Sequence, residues 1–131
     1  MAFTREGEHN GWLKVARLGL LFTPSYSVVS EQQIISDEHI NFLQNAGRPE
    51  LLVNAGAPPS SVSGIKHNIY QWDEIGVNGD IWKGGWAGQG LLINPQRDVV
   101  VVFTGYFKDD EQSEITAEPI IRSMVDAVFA D

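Results

Sequence analysis

The chain has 131 residues, 43% of them hydrophobic, enough for one hydrophobic core and too little for two independent ones, so a single domain spanning residues 1–131 is expected. Nine basic side chains against seventeen acidic ones give a formal net charge of -8, which argues against nucleic acid or an anionic bilayer as a partner. With no cysteine there is neither a disulfide framework nor a thiolate metal site, and the cysteine count leaves the compartment open.

Met1 to Asn10 is polar and charged where a signal peptide needs an apolar stretch, and no apolar run approaches the roughly 18 residues of a membrane span. A soluble chain without a signal peptide is expected, its location otherwise unknown. From Gly11 to Phe22, Trp12, Val15, Ala16, Leu18, Gly19 and Phe22 recur at spacings of three and four, which predicts a helix with one buried face, limited by Pro24. Ser36 before Asp37, Glu38 and His39 reads as an N-cap with acidic residues in the first turn of a short helix that Gly47 and Pro49 end. Asn54 to Gly64 is rich in turn formers and has no apolar period, so a surface loop inside the same domain is expected there.

Beyond the loop the period becomes strand-like. Asn68 to Ile75 alternates and predicts one strand, and Asn78-Gly79 is a strong tight-turn signal. Ile81-Trp82-Lys83, a glycine-rich bend at Gly84 to Gly88, and Gly90 to Ile93 follow. After a turn over Pro95 to Asp98, Val99 to Phe103 reads as a strand buried on both faces, most simply the middle of a sheet. A last amphipathic helix is expected from Ser113 or Glu114 through Phe129, with Pro119 tolerable only near its first turn. The sum is an α+β fold: N-terminal helices, an antiparallel meander of about four strands, and a C-terminal helix packed on the sheet.

Four pieces of this pattern resemble, in order, the C-terminal portion of the class C β-lactamase and penicillin-binding-protein-like serine hydrolases. Val15-Ala16-Arg17-Leu18-Gly19-Leu20-Leu21 is similar to the family helix Leu-Ala-Arg-Phe-Gly-x-Leu, and Tyr70-Gln71-Trp72 to its tyrosine/tryptophan strand. Trp82 to Pro95 followed by Asp98 to Phe103 is similar to the strand that carries Lys-Thr-Gly or His-x-Gly and the strands after it, and Ile115 to Phe129 to the closing helix. In that family a Ser-x-x-Lys serine attacks an acyl carbon, a Tyr-x-Asn motif assists, and backbone N–H groups hold the oxyanion. Here the resemblance supplies only the third motif, as Lys83, Gly84, Gly85 and Trp86. It implies that Lys83 stands at the cationic position and that the Trp86 N–H is an oxyanion donor. Gly84 departs from the usual Thr or Ser and removes a hydroxyl donor, while Gly85 lets a substrate approach the strand backbone closely.

Other patterns in the chain carry less. Ser63-Gly64-Ile65-Lys66 matches Ser-x-x-Lys literally, but it follows Pro58-Pro59, contains Gly64 and precedes the third motif instead of lying far upstream of it, so it is rejected as the nucleophile. Trp72, Trp82 and Trp86 could line a cleft, although tryptophans along a meander more often fill core, the role expected for Trp72. His9, His39 and His67 show no metal-ligand spacing, Asp109-Asp110-Glu111 is a solvated turn, and no metal or other cofactor is expected. Two functional classes follow. One is a piece of a serine hydrolase, inactive alone because no complete catalytic set is present; the other is a stand-alone non-catalytic module binding a ligand or a protein. On the resemblance, the strand that would flank Val99 to Phe103 belongs to a missing N-terminal segment. That segment, or a second copy in a homodimer, is therefore the expected partner.

Overall fold

The computed structural model describes residues 6–54, 64–85, 89–104 and 118–130. Four helices come first: α1 (Glu6–Leu20), α2 (Pro24–Ser30), α3 (Asp37–Asn45) and α4 (Pro49–Asn54). Five strands follow, β1 (Ile65–Ile69), β2 (Trp72–Gly76), β3 (Ile81–Gly84), β4 (Gly90–Asn94) and β5 (Val99–Phe103), and then α5 (Glu118–Val128). The strands form one antiparallel sheet in the order β1-β2-β3-β4-β5, so the fold is α+β with helices packed on a sequential meander.

The helix boundaries follow from local chemistry. Ser36 caps α3, its Oγ accepting the His39 N–H at 3.1 Å, and Asp37 and Glu38 occupy the first turn, where the helix dipole favours negative charge. α1 begins at Glu6, earlier than the apolar period alone indicates, and ends at Leu20 before Pro24. Pro24 does more than stop it: with no N–H to satisfy, it stands in the first turn of α2, which ends at Glu31 in a left-handed conformation (φ 55°). Pro49 in the same way closes the α3 region and opens α4. Helix α5 places Pro119 in its first turn, as expected. Ser113, Glu114, Ile115 and the acidic run Asp109 to Glu111 lie outside the described residues, as does most of the Asn54 to Gly64 loop.

Two expectations are corrected. The sheet has five strands, not about four, because Asn68 to Ile75 is the turn and flanks of a hairpin and not one strand. Tyr70 and Gln71 both have positive φ (47° and 70°), the mirror-image two-residue turn that suits the twist of paired strands. Neither residue is Gly or Asn, and Tyr70 is held in place by stacking on Phe42, with ring centroids 5.9 Å apart. β5, expected in the middle of the sheet, is its last strand among the described residues. Its five residues are half-buried, with α1 packed on one face and α5 on the other, which says nothing of lateral neighbours.

The sheet separates two apolar layers. On one face Phe22 and Leu43 meet Ile75, Ile81, Leu91 and Ile93, with Val15, Ile40, Val100 and Val102 packed around them. On the other, Ile121 and Val125 of α5 meet Trp82 and Leu92, with Val99, Val101 and Phe103 at the margin. The alternation of Ile81 with Trp82, and of Val100 and Val102 with Val99, Val101 and Phe103, sends successive side chains to opposite layers. α1 approaches β5 closely at Gly19, where a Cβ would stand 2.5 Å from a Val100 methyl. No helix among the described residues is long and apolar enough to cross a membrane.

Candidate functional site

The pairing of β3 explains what its last residues can do. On one side it runs to the end of the strand, Lys83 opposite Leu91 and Gly84 opposite Gly90. On the other side β2 pairs only Glu74 with Trp82 and Ile75 with Ile81. Beyond that point the space beside β3 is filled by a side chain. Asp73 accepts the Lys83 ammonium on Oδ1 at 2.7 Å and the Gly84 N–H on Oδ2 at 2.8 Å. Both ionic side chains are nearly half exposed (45% and 44%), so the ammonium faces solvent and not the core. A cation and a backbone N–H thus converge on one carboxylate at the end of a strand.

The glycines have local reasons to be there. A Cβ on Gly84 would lie 3.3 Å from Asp73 Oδ2, tight against the carboxylate that its N–H binds. Gly85 donates its N–H to the Gln89 carbonyl at 2.8 Å and closes the bend into β4. Gly90 leaves room for the Trp82 ring, whose Cη2 would stand 2.1 Å from a Cβ there. Trp82 is accordingly a core residue. Trp72 is half-buried and meets Phe22 edge to face at 5.6 Å, the core role expected of it. Trp86, assigned as an oxyanion donor, lies outside the described residues, as does Ser63. Lys66, the other end of the rejected Ser-x-x-Lys match, stands on strand β1 and donates to Asn45 Oδ1 at 2.7 Å.

A second polar cluster ties α5 to the sheet. Arg122 binds three carboxylates: Glu74 at 3.0 Å, Asp80 at 2.9 Å, and Glu118 one turn earlier on its own helix. Asp80 is buried and also takes the Asn94 amide at 2.7 Å and the Asn78 amide at 2.9 Å, while Asn94 Oδ1 receives the Arg97 N–H. Burial pushes the Glu74 carboxyl above its ordinary range against the pull of the Arg122 guanidinium, and the neighbouring Asp73 charge adds to the rise. Every buried polar side-chain atom among the described residues has a partner, which is the signature of a structural network. His67 is buried beside Gly47 with Nε2 2.7 Å from the Leu43 carbonyl, so it joins β1 to the end of α3.

A groove of about 450 Å³ opens at the opposite end of β4, between Phe22 of the α1–α2 turn, Ile35 just before α3 and Ile40 on α3, and Pro95 and Gln96 of the β4–β5 turn. Gln44 and Gln96 clasp each other across it by their amides. Among the described residues no three His, Asp or Glu side chains are placed to hold a metal ion.

Of the sequence-predicted site, then, the structure brings together Lys83, Gly84 and Gly85. It adds Asp73, which sequence reasoning missed. The signal was available: once β2 and β3 are registered about the Asn78-Gly79 turn, residue 73 falls opposite residue 83. No family model matches this sequence, and neither a curated protein nor a solved structure matches it.

Proposed function

We propose that this chain is the C-terminal, substrate-side part of a β-lactamase-like serine hydrolase, carrying a Lys83-Gly84-Gly85-Trp86 version of the third motif and no nucleophile, and inactive alone. The observation that carries the reading is the convergence of the Lys83 ammonium and the Gly84 N–H on the Asp73 carboxylate where the β2–β3 ladder ends. A strand end with a cation and a free N–H is what such a hydrolase uses to hold a substrate's acidic group beside the reacting carbonyl. Support also comes from the sheet, which stands between N-terminal helices and a C-terminal helix in the order the resemblance requires.

Acyl transfer needs a nucleophile within hydrogen-bond reach of a base. Among the described residues the Lys83 ammonium is engaged by Asp73 alone, so no hydroxyl nucleophile stands against it. The isolated chain is expected to leave nitrocefin and p-nitrophenyl esters unhydrolysed above background. Turnover that disappears in Ser63→Ala would overturn the reading and restore the rejected serine motif.

A second reading, a stand-alone non-catalytic module on the same scaffold, is favoured by one specific fact: Asp73 already fills the carboxylate position that a substrate would need. The coding sequence upstream of Met1 separates the two. An in-frame Ser-x-x-Lys and Tyr-x-Asn there supports the hydrolase, and their absence supports the module.

A further inference from the structure

We propose that a second copy of this chain docks on the open edge of β5 and on the apolar stripe of α5 beside it, forming a two-fold homodimer. The inference is independent of any catalytic role. Among the described residues β5 is the last strand of the sheet, and no strand pairs with its outer side. Its sequence is Val-Val-Val-Val-Phe, without the Lys, Pro or bulge by which soluble proteins blunt an edge.

The helix above that edge is more apolar than its contact with the sheet requires. Ile121 and Val125 are buried against Trp82 and Leu92. Ile120 and Met124, one residue before each, and Val128 a further turn on recur at i, i+4 and i+8 and form a second stripe that stays 61%, 64% and 76% exposed. Two of the three lean toward the edge: a groove of about 190 Å³ runs between Val99 and Val101 of β5 and Met124 and Val128 of α5, with Phe129 just past the helix, and only apolar side chains line it. Open strand edge and bare helix stripe are therefore one continuous surface.

The required partner follows from that shape. It must add a strand in the plane of the sheet and an apolar helix surface on the same face. A single extended peptide satisfies the strand edge and leaves the stripe bare, whereas the chain itself carries both elements in the right relation. A two-fold axis normal to the sheet at Val101 sets β5 antiparallel to its copy and keeps both α5 helices on one face, stripe against stripe. With no charge in β5, self-pairing opposes no like charges within the strand. The three stripe residues and Phe129 each expose on the order of 100 Å². Together they supply about half of the roughly 800 Å² per partner of a standard interface, and the β5 edge adds to them. Each copy carries a net charge of -8, so the dimer should tighten as salt screens the repulsion.

Sedimentation equilibrium of the full chain at micromolar concentration tests the proposal. The expected mass is twice that of the monomer. Val101→Lys, at the axis, and Val128→Glu, on the stripe, should each weaken association about tenfold or more. Val128 is so exposed that its replacement leaves the fold intact, which circular dichroism of the monomer checks. A wild-type chain that sediments as a monomer at high salt, or a dimer indifferent to both substitutions, overturns the proposal.

Discussion

Arg122→Met is the most informative single change. It keeps the aliphatic length that α5 lays on the sheet and removes the one cation among three carboxylates. Asp80, nearly inaccessible at 1%, loses the 2.9 Å guanidinium contact but keeps the Asn78 and Asn94 amides. Glu74 and Glu118 lose their ionic partner but keep some access to water, with side chains 25% and 16% exposed. Breaking a buried pair by deleting one partner costs about 3–5 kcal/mol, and the retained amides and partial solvation place this case at the lower end, about 3 kcal/mol. For a domain of this size that is roughly 10 °C in the melting midpoint. Urea unfolding followed by far-ultraviolet circular dichroism measures it. The defect should also shrink on acidification, because protonated carboxyls no longer need the cation. A loss below about 1 kcal/mol, or one that does not change with pH, would refute the reasoning and mean that water serves these carboxylates as well as the guanidinium does.

Glu74→Gln tests the raised carboxyl. Because its folded-state value lies above the ordinary 4.5, the folded chain binds the proton more tightly. Its contribution to stability is therefore complete below the ordinary range and lost as pH rises through the raised value. Relative to wild type the variant should gain stability with rising pH across that window, measured by urea midpoints, and a flat difference would contradict the burial argument. Lys83→Ala removes an ion pair exposed by nearly half, so unfolding midpoints should move by less than about 1 kcal/mol; an unfolded variant would show that the lysine is structural. Gly47→Ala should be severe, about 3 kcal/mol, since the new methyl would stand 1.9 Å from the His67 ring, which the Leu43 carbonyl holds in place. A variant of wild-type melting temperature would mean that the His67 contact is slack.

What could be read from the sequence was whatever has a local cause. The Ser36 cap, the Asn78-Gly79 turn with Gly79 at φ 88°, and the closing helix each depend on residues within a few positions of one another. The Tyr70–Gln71 hairpin has no such signal, because its positive φ values fall on residues that rarely adopt them and because a two-residue turn continues the alternation across it. Helices α2 and α4 are too short to show a period, and each opens on a proline that the sequence presents as a stop. In the site, Lys83 and its glycines are legible as a contiguous pattern, while Asp73 arrives only through strand register. The Glu118–Arg122 pair has readable i, i+4 spacing, but Glu74 and Asp80 join it through the packing of α5 on the sheet, which no local pattern encodes.

The two ends of β3 divide the work of the chain. At its start, Asp80 precedes Ile81 and is locked into a network with Asn94, Asn78 and Arg122, buried and fully partnered, where a substitution reaches the contact between helix and sheet. At its finish, Lys83 and Gly84 stand past the last ladder pair with β2, half open to solvent and held by the Asp73 carboxylate of that strand. Only Ile81 and Trp82 separate Asp80, a position that stability depends on, from Lys83, one that stability can spare. At Lys83 the strand is paired on the β4 side and open to solvent at its side chain, so the residue there can change without loss of the fold. The chemistry of this end therefore has to be judged from Lys83, Gly84 and Asp73 together and not from the scaffold that presents them.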